Sequence, residues 1–352
     1  SGAFTLSNGQ QWENDPVTCS LNCWPGELAY FWIERIRWRY IHDPDSWNGF
    51  DADEKDAIHH FIEDEGDFSR PVWTALLVNI NMLHSLDNED VESWLFDLMG
   101  KAGTEFIWNS ILPNPNFNIR LIDIVFYKSC IDEFEYLSHL SEYKRQSFLL
   151  QVFRMITYGE LKEKQRTRLL SKVVTVENGA YAALFMDQVA WAFEFRLDSK
   201  DRDMVWDLWL HQFIEDRHAG KGRNWGEEER VAFAKLVPLL GAHLKEGAEY
   251  LSDSFPKVTG YDLNEIIMLD NIDCIPQECA EAFIAFYMRL FMQSGVFHVW
   301  KAGELLQKLA NKFGMDKVSS LASLAKEKRI IPDTWNFSPK KEIHSDGKEG
   351  EA

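Results

Sequence analysis

Large apolar residues recur at helical spacing through almost the whole chain. Leu28, Phe31, Trp32, Ile36 and Trp38 fall mostly on one stripe. Trp94, Leu95 and Leu98 repeat the i, i+3, i+4 pattern, and Phe283, Phe286, Tyr287, Leu290 and Phe291 do so again. No segment sustains the period-two alternation that a half-buried strand requires. The punctuation agrees. Ser69-Arg70-Pro71 sets a cap and a proline at a helix start, and Asp87-Asn88-Glu89 opens another helix with acidic first-turn residues. Gly100, Gly159, Gly179 and Gly314 stand where helices end or turn, and Pro113-Asn114-Pro115-Asn116 reads as a loop. Helices of about 12 to 18 residues with short connections predict an all-α fold of stacked helical hairpins, either an α-solenoid of HEAT or TPR type or an irregular helical bundle.

Polar residues at Ser199-Lys200-Asp201 interrupt two strongly apolar helices. The organisation expected is a flexible start over 1–10, a helical subdomain over 11–198, a second over 199–332, and a polar tail over 333–352. The start, Ser1-Gly2-Ala3-Phe4, reads as a cloning scar on a piece of a longer protein, with no secretory signal. A faint internal echo crosses the expected boundary. Phe31-Trp32-Ile33 leads through Arg37 and Arg39 to Trp47 and the acids Asp51 to Glu54. Leu208-Trp209-Leu210, about half a chain length later, leads through Arg217 and Arg223 to Trp225 and Glu227-Glu228-Glu229.

Charge narrows the partners. Among 352 residues, 37 Lys+Arg stand against 56 Asp+Glu, a formal charge of −19, which disfavours a general polyanion binder. No apolar run reaches the length of a membrane span, so no membrane partner is expected. The five cysteines, Cys19, Cys23, Cys130, Cys274 and Cys279, form no disulfide framework and point to the cytoplasm, as buried thiols rather than a zinc site. Aromatic residues are abundant, with 14 Trp, 24 Phe and 10 Tyr; most are expected in the core, with a share on a partner surface.

Three segments carry candidate chemistry. Residues 42–67 hold ten carboxylates and one lysine. Asp43 to Glu54 begins like a calcium loop, but Trp47 and Asn48 occupy positions that need an oxygen ligand and a glycine, so a cap on the next helix at Asp51 or Asp53 is expected instead. His211, Glu215 and His218 share a helix face and could contribute to a metal site inside a bundle; a polar helix face is the plainer reading. Arg217, Lys221, Arg223 and Trp225 form a small basic loop able to hold a phosphate or stack a base. A basic run from Lys162 to Lys172 reads as a solvated helix face. No nucleophile elbow, zincin helix or dinucleotide-binding glycine motif is present.

From Trp206 onward the chain resembles a known family. Trp206-x-x-Trp209, then Ile214-Glu215-Asp216-Arg217, a glycine-containing loop, Glu228-Glu229, Leu240-Gly241 and Leu251 look like a helical C-terminal domain of unknown function. That domain occurs in large bacterial proteins, often behind sirtuin-like or NTPase domains in anti-phage defence islands. Ala280 to Phe291, then Trp300, Leu305, Leu309 and Leu321, are similar to its closing repeats. The resemblance covers the last third of the chain and carries over no catalytic residue and no cofactor. It implies the accessory part of a defence protein.

The function expected is therefore a non-catalytic recognition or assembly module. It would bind a phage-encoded trigger, an effector domain of the same system or a host protein through an aromatic-rich helical surface. Two alternatives stay open: a metal-dependent enzyme built around His211, Glu215 and His218, and a nucleic-acid-binding component using Arg217, Lys221, Arg223 and Trp225.

Overall fold

The computed structural model describes residues 16–337, apart from 67–68, 113–117, 123–124, 126–133, 135–139, 223 and 296–298. Every regular element among the described residues is helical, and none is a strand, so the chain is all-α. No described helix is long and apolar enough to cross a membrane. The chain start over 1–10, Cys130, the loop Pro113 to Asn116, Arg223 and the tail from Ser338 lie outside the described residues.

The chain divides into two compact units, Ser1–Glu177 and Asn178–Ala352. Ser199, where the sequence suggested a boundary, opens a helix inside the second unit.

The first unit contains α1 (Pro16–Leu21), α2 (Trp24–His42), α3 (Ala52–Glu63), α4 (Ser69–Val78), α5 (Ile80–Leu86), α6 (Asn88–Ala102), α7 (Thr104–Ile111), α8 (Glu142–Tyr158) and α9 (Glu163–Thr175). Helices α1 and α2 both pack on α4, which buries nearly every side chain it carries. Several ends follow the sequence signals. Ser69 begins α4, and Asp87 caps α6 by accepting from the Asp90 amide. Gly159 ends α8. Gly100, in contrast, stays inside α6, and the turn comes at Gly103, whose φ of 77° suits a residue without a Cβ.

The second unit contains α10 (Ala180–Phe195), α11 (Ser199–Val205), a π-helical turn (Trp206–Leu210), α12 (His211–His218), α13 (Glu227–Leu236), α14 (Leu244–Tyr250), α15 (Gly260–Ile266), α16 (Ala280–Gln293), α17 (Trp300–Phe313) and α18 (Met315–Glu327). The most extensive pairing is α10 on α13, and α16, α17 and α18 pack together. The predicted stripe on α16 is the buried face: Phe283, Phe286, Tyr287, Leu290 and Phe291 are all enclosed. The Tyr287 hydroxyl keeps its hydrogen bond by donating to the Ile266 carbonyl at 2.9 Å.

Candidate functional site

The basic loop of the second unit is built around a buried ion pair. Arg217 leaves the last turn of α12 and is only 1% exposed, as is Glu229, the third residue of α13. Arginine Nε and Nη2 donate to the two carboxylate oxygens at 2.6 and 2.9 Å. Nη1 donates to the Lys221 carbonyl at 2.9 Å, and Nη2 reaches that of Asn224 at 3.4 Å. A charge removed from water needs this many partners. The guanidinium thus ties the loop shut from inside. Lys221 is exposed and donates to Asp216 at 2.6 Å, which holds its ammonium above the usual lysine range. Trp225 is buried against Phe233, with ring centroids 5.5 Å apart. Arg217, Lys221 and Trp225 therefore share one loop, with only Lys221 facing solvent.

The first unit repeats the device. Arg39, near the end of α2, donates through Nε and Nη2 to the two oxygens of Glu54 at 3.1 and 2.5 Å, and through Nη2 to the Gly49 carbonyl at 2.8 Å. Glu54 is the third residue of α3 and fully buried. The guanidinium lies over the Trp47 ring, 4.3 Å from its centroid. Asp51 and Glu54 form a capping box, each accepting from the other's amide, at 2.8 and 2.9 Å. The acidic 42–67 stretch thus caps α3 at Asp51.

The predicted metal residues take other partners. His211 sits at the end of the π-turn, and its Nε2 is 2.9 Å from both the Tyr250 hydroxyl and Glu246 Oε1. Its ring stacks on Trp206, which also stacks on His243. Glu215 accepts from Gln212 at 2.9 Å, and His218 lies edge-on to Tyr250 and Trp225. Among the described residues no group of three or more His, Cys, Asp or Glu is placed to hold a metal ion. Cys19, Cys23 and Cys279 are buried free thiols, and Cys274 is exposed. Burial pushes the Cys23 and Cys279 thiols up.

The outer face of α2 was not expected. The helix buries Ala29, Ile33 and Ile36 against its unit, as a helix beside a core should. On the opposite side Trp24, Leu28, Phe31 and Trp38 are 62, 40, 62 and 61% exposed. Trp24, Phe31 and Trp38 are spaced by seven and so lie within about 40° of one another around the helix. Leu28, Phe31 and Trp38 belong to the stripe read from the sequence; of that stripe only Ile36 is buried. The alternation of small or branched inward residues with aromatic outward ones was the available signal. A helix apolar on both faces is ordinarily enclosed.

Comparison with known protein families, with characterised proteins and with solved structures gives no match.

Proposed function

We propose that the chain is a recognition or assembly module that binds a protein partner through the outward aromatic face of α2. One observation carries this reading: Trp24, Leu28, Phe31 and Trp38 are aligned on one helix face and largely exposed, opposite a face that is already packed. Scattered exposed apolar residues need no explanation, whereas an aligned patch of this kind marks a docking surface. Tryptophan and phenylalanine are the residues that anchor such surfaces. Each of the two inner salt bridges clamps an interhelical loop, so the helices are held as a rigid support. The setting, a bacterial anti-phage defence system, comes from the resemblance of the last third alone.

The test is capture on the immobilised chain from lysates of phage-infected and uninfected bacteria, with Phe31→Glu beside the natural chain. A protein retained by the natural chain and lost from Phe31→Glu supports the reading. Retention unaffected by that substitution contradicts it.

A further inference from the structure

We propose that a slot between α14 and α16 binds a small aromatic carboxylate. The site is separate from the α2 face and adds a ligand to the second unit. Two helix faces of like spacing build it. Lys245, Ala248, Glu249 and Ser252 stand at i, i+3, i+4 and i+7 along α14 and the turn after it. Ala282, Ala285, Phe286 and Arg289 repeat that spacing along α16. The two helices pack together, and the small alanine side chains leave an open cavity of about 200 Å³ between these faces.

The lining selects an aromatic body. Phe286 is 1% exposed and forms the floor, and half-buried Phe255 stands against it with ring centroids 5.8 Å apart. Ala248, Ala282 and Ala285 supply the remaining apolar wall. Aromatic rings favour offset or edge-on neighbours at such separations, so a third ring suits this pair. An apolar cavity of about 150 Å³ holds a benzene ring, so this one takes a ring and about three further heavy atoms. Slack packing is not its cause. At Gly247, outside the slot, α14 sits so close to the Leu240 side chain that a Cβ has no room.

Charge at the mouth selects the head group. Lys245 and Arg289 are exposed, and neither has an ion-pair partner among the described residues. In a chain with 56 acidic groups for 37 basic ones, two such cations beside one apolar slot are open to an incoming anion. Arg289 is already oriented, its guanidinium over the Phe255 ring and 5.7 Å from the centroid. A guanidinium so held can take a carboxylate in two parallel bonds while the ligand ring enters the slot. Glu249 lines the same mouth. Two cations against one carboxylate leave an excess of one positive charge, which matches a monoanion rather than a dianion.

Ligand-observed NMR titration on the whole chain tests this with phenylacetate, and with 2-phenylethanol and 2-phenylethylamine as its neutral and cationic counterparts. Phenylacetate should bind with a dissociation constant on the order of 0.1–1 mM, as suits a ligand of about ten heavy atoms. The alcohol and the amine should bind at least about tenfold more weakly. Arg289→Gln should weaken phenylacetate at least about tenfold and leave the alcohol unchanged. Ala285→Leu, at an exposed position, should block both by filling the slot. Circular dichroism verifies that each variant is folded. No saturable binding of phenylacetate by the natural chain up to about 10 mM overturns the inference. Equal affinities for the three probes do so too, as does phenylacetate binding that either substitution leaves unchanged.

Discussion

Arg217 meets Glu229 side-on, with Nε and Nη2 each holding one carboxylate oxygen, and Arg39 meets Glu54 with the same pair of nitrogens. In both units the arginine lies in the last turn of one helix and the glutamate is the third residue of a following helix, with a tryptophan in the loop between. The sequence distance between matching positions grows by one residue from Trp32 and Trp209 to Arg39 and Arg217. The π-turn Trp206–Leu210, a wider turn than an α-helix makes, lies where that residue is absorbed. The faint echo in the sequence thus corresponds to a shared structural device.

Burial sets the cost of breaking each pair. Arg217→Ala removes the guanidinium that both oxygens of the buried Glu229 carboxylate hold and should destabilise the second unit by about 3–5 kcal/mol. Arg217→Lys should rescue little, since an ammonium cannot make two parallel bonds and reach two carbonyls. The side chain of Arg39 is 28% exposed, so Arg39→Ala should cost less, about 1–3 kcal/mol. Urea denaturation of the three variants measures the order.

A second, half-buried cation answers to pH. Lys235 Nζ lies 2.9 Å from Asp187 and 2.7 Å from Glu265. Burial alone would push the ammonium down, but its hydrogen bonds with Glu265 and Asp187 outweigh this and hold it above the usual lysine range. Lys235→Met should therefore destabilise by about 1–3 kcal/mol, discounted for partly exposed carboxylates. A raised pKa contributes stability that is fully present below the ordinary lysine value of about 10.4 and lost as pH rises through the raised one. The gap between natural chain and variant should accordingly persist at neutral pH and narrow in strong alkali. Thermal melts across pH 7 to 11 read it.

Glu194 has the opposite consequence. Burial raises its carboxyl, and Lys301 only partly offsets this. Ionisation therefore carries a penalty in the folded chain that is absent below the ordinary carboxylate value, about 4.3, and complete above the raised one. Glu194→Gln should raise the melting midpoint at pH 7 by a few degrees at most, and the gain should vanish near pH 4.

The corner between α1 and α2 has no room for a side chain at Gly26. A Cβ built there would fall on the Ser20 carbonyl oxygen, which is backbone and cannot swing aside. Gly26→Ala should destabilise by more than about 1 kcal/mol despite the better helix propensity of alanine. Urea unfolding measures it.

Helical periodicity made the fold class legible, and α16 shows why: five large apolar residues share one face, and that face is buried. On α2 the same reading found a stripe without telling which face of the helix meets the core. Period 3.6 identifies which residues share a face, but with apolar residues on two faces it does not say which one meets the core. Arg217 was read as part of a basic loop because neighbouring Lys221 and Arg223 dominate the local charge. Its buried partner, twelve residues on, becomes visible only when the helix ends converge. The histidine face of α12 was correctly seen as a face, but its neighbours Tyr250, Glu246 and His243 come from beyond α13 and no local spacing announces them.

Whether the outward face of α2 is closed in the working state can be measured directly by hydroxyl-radical footprinting. Oxidation of Phe31 and Trp38 would be compared between dilute purified chain and concentrated lysate, with Tyr261 on the second unit, 73% exposed, as reference. Closure by a protein predicts that Phe31 and Trp38 become protected in lysate, at least about tenfold relative to Tyr261. Equal oxidation of all three in both conditions would contradict a docking role for α2.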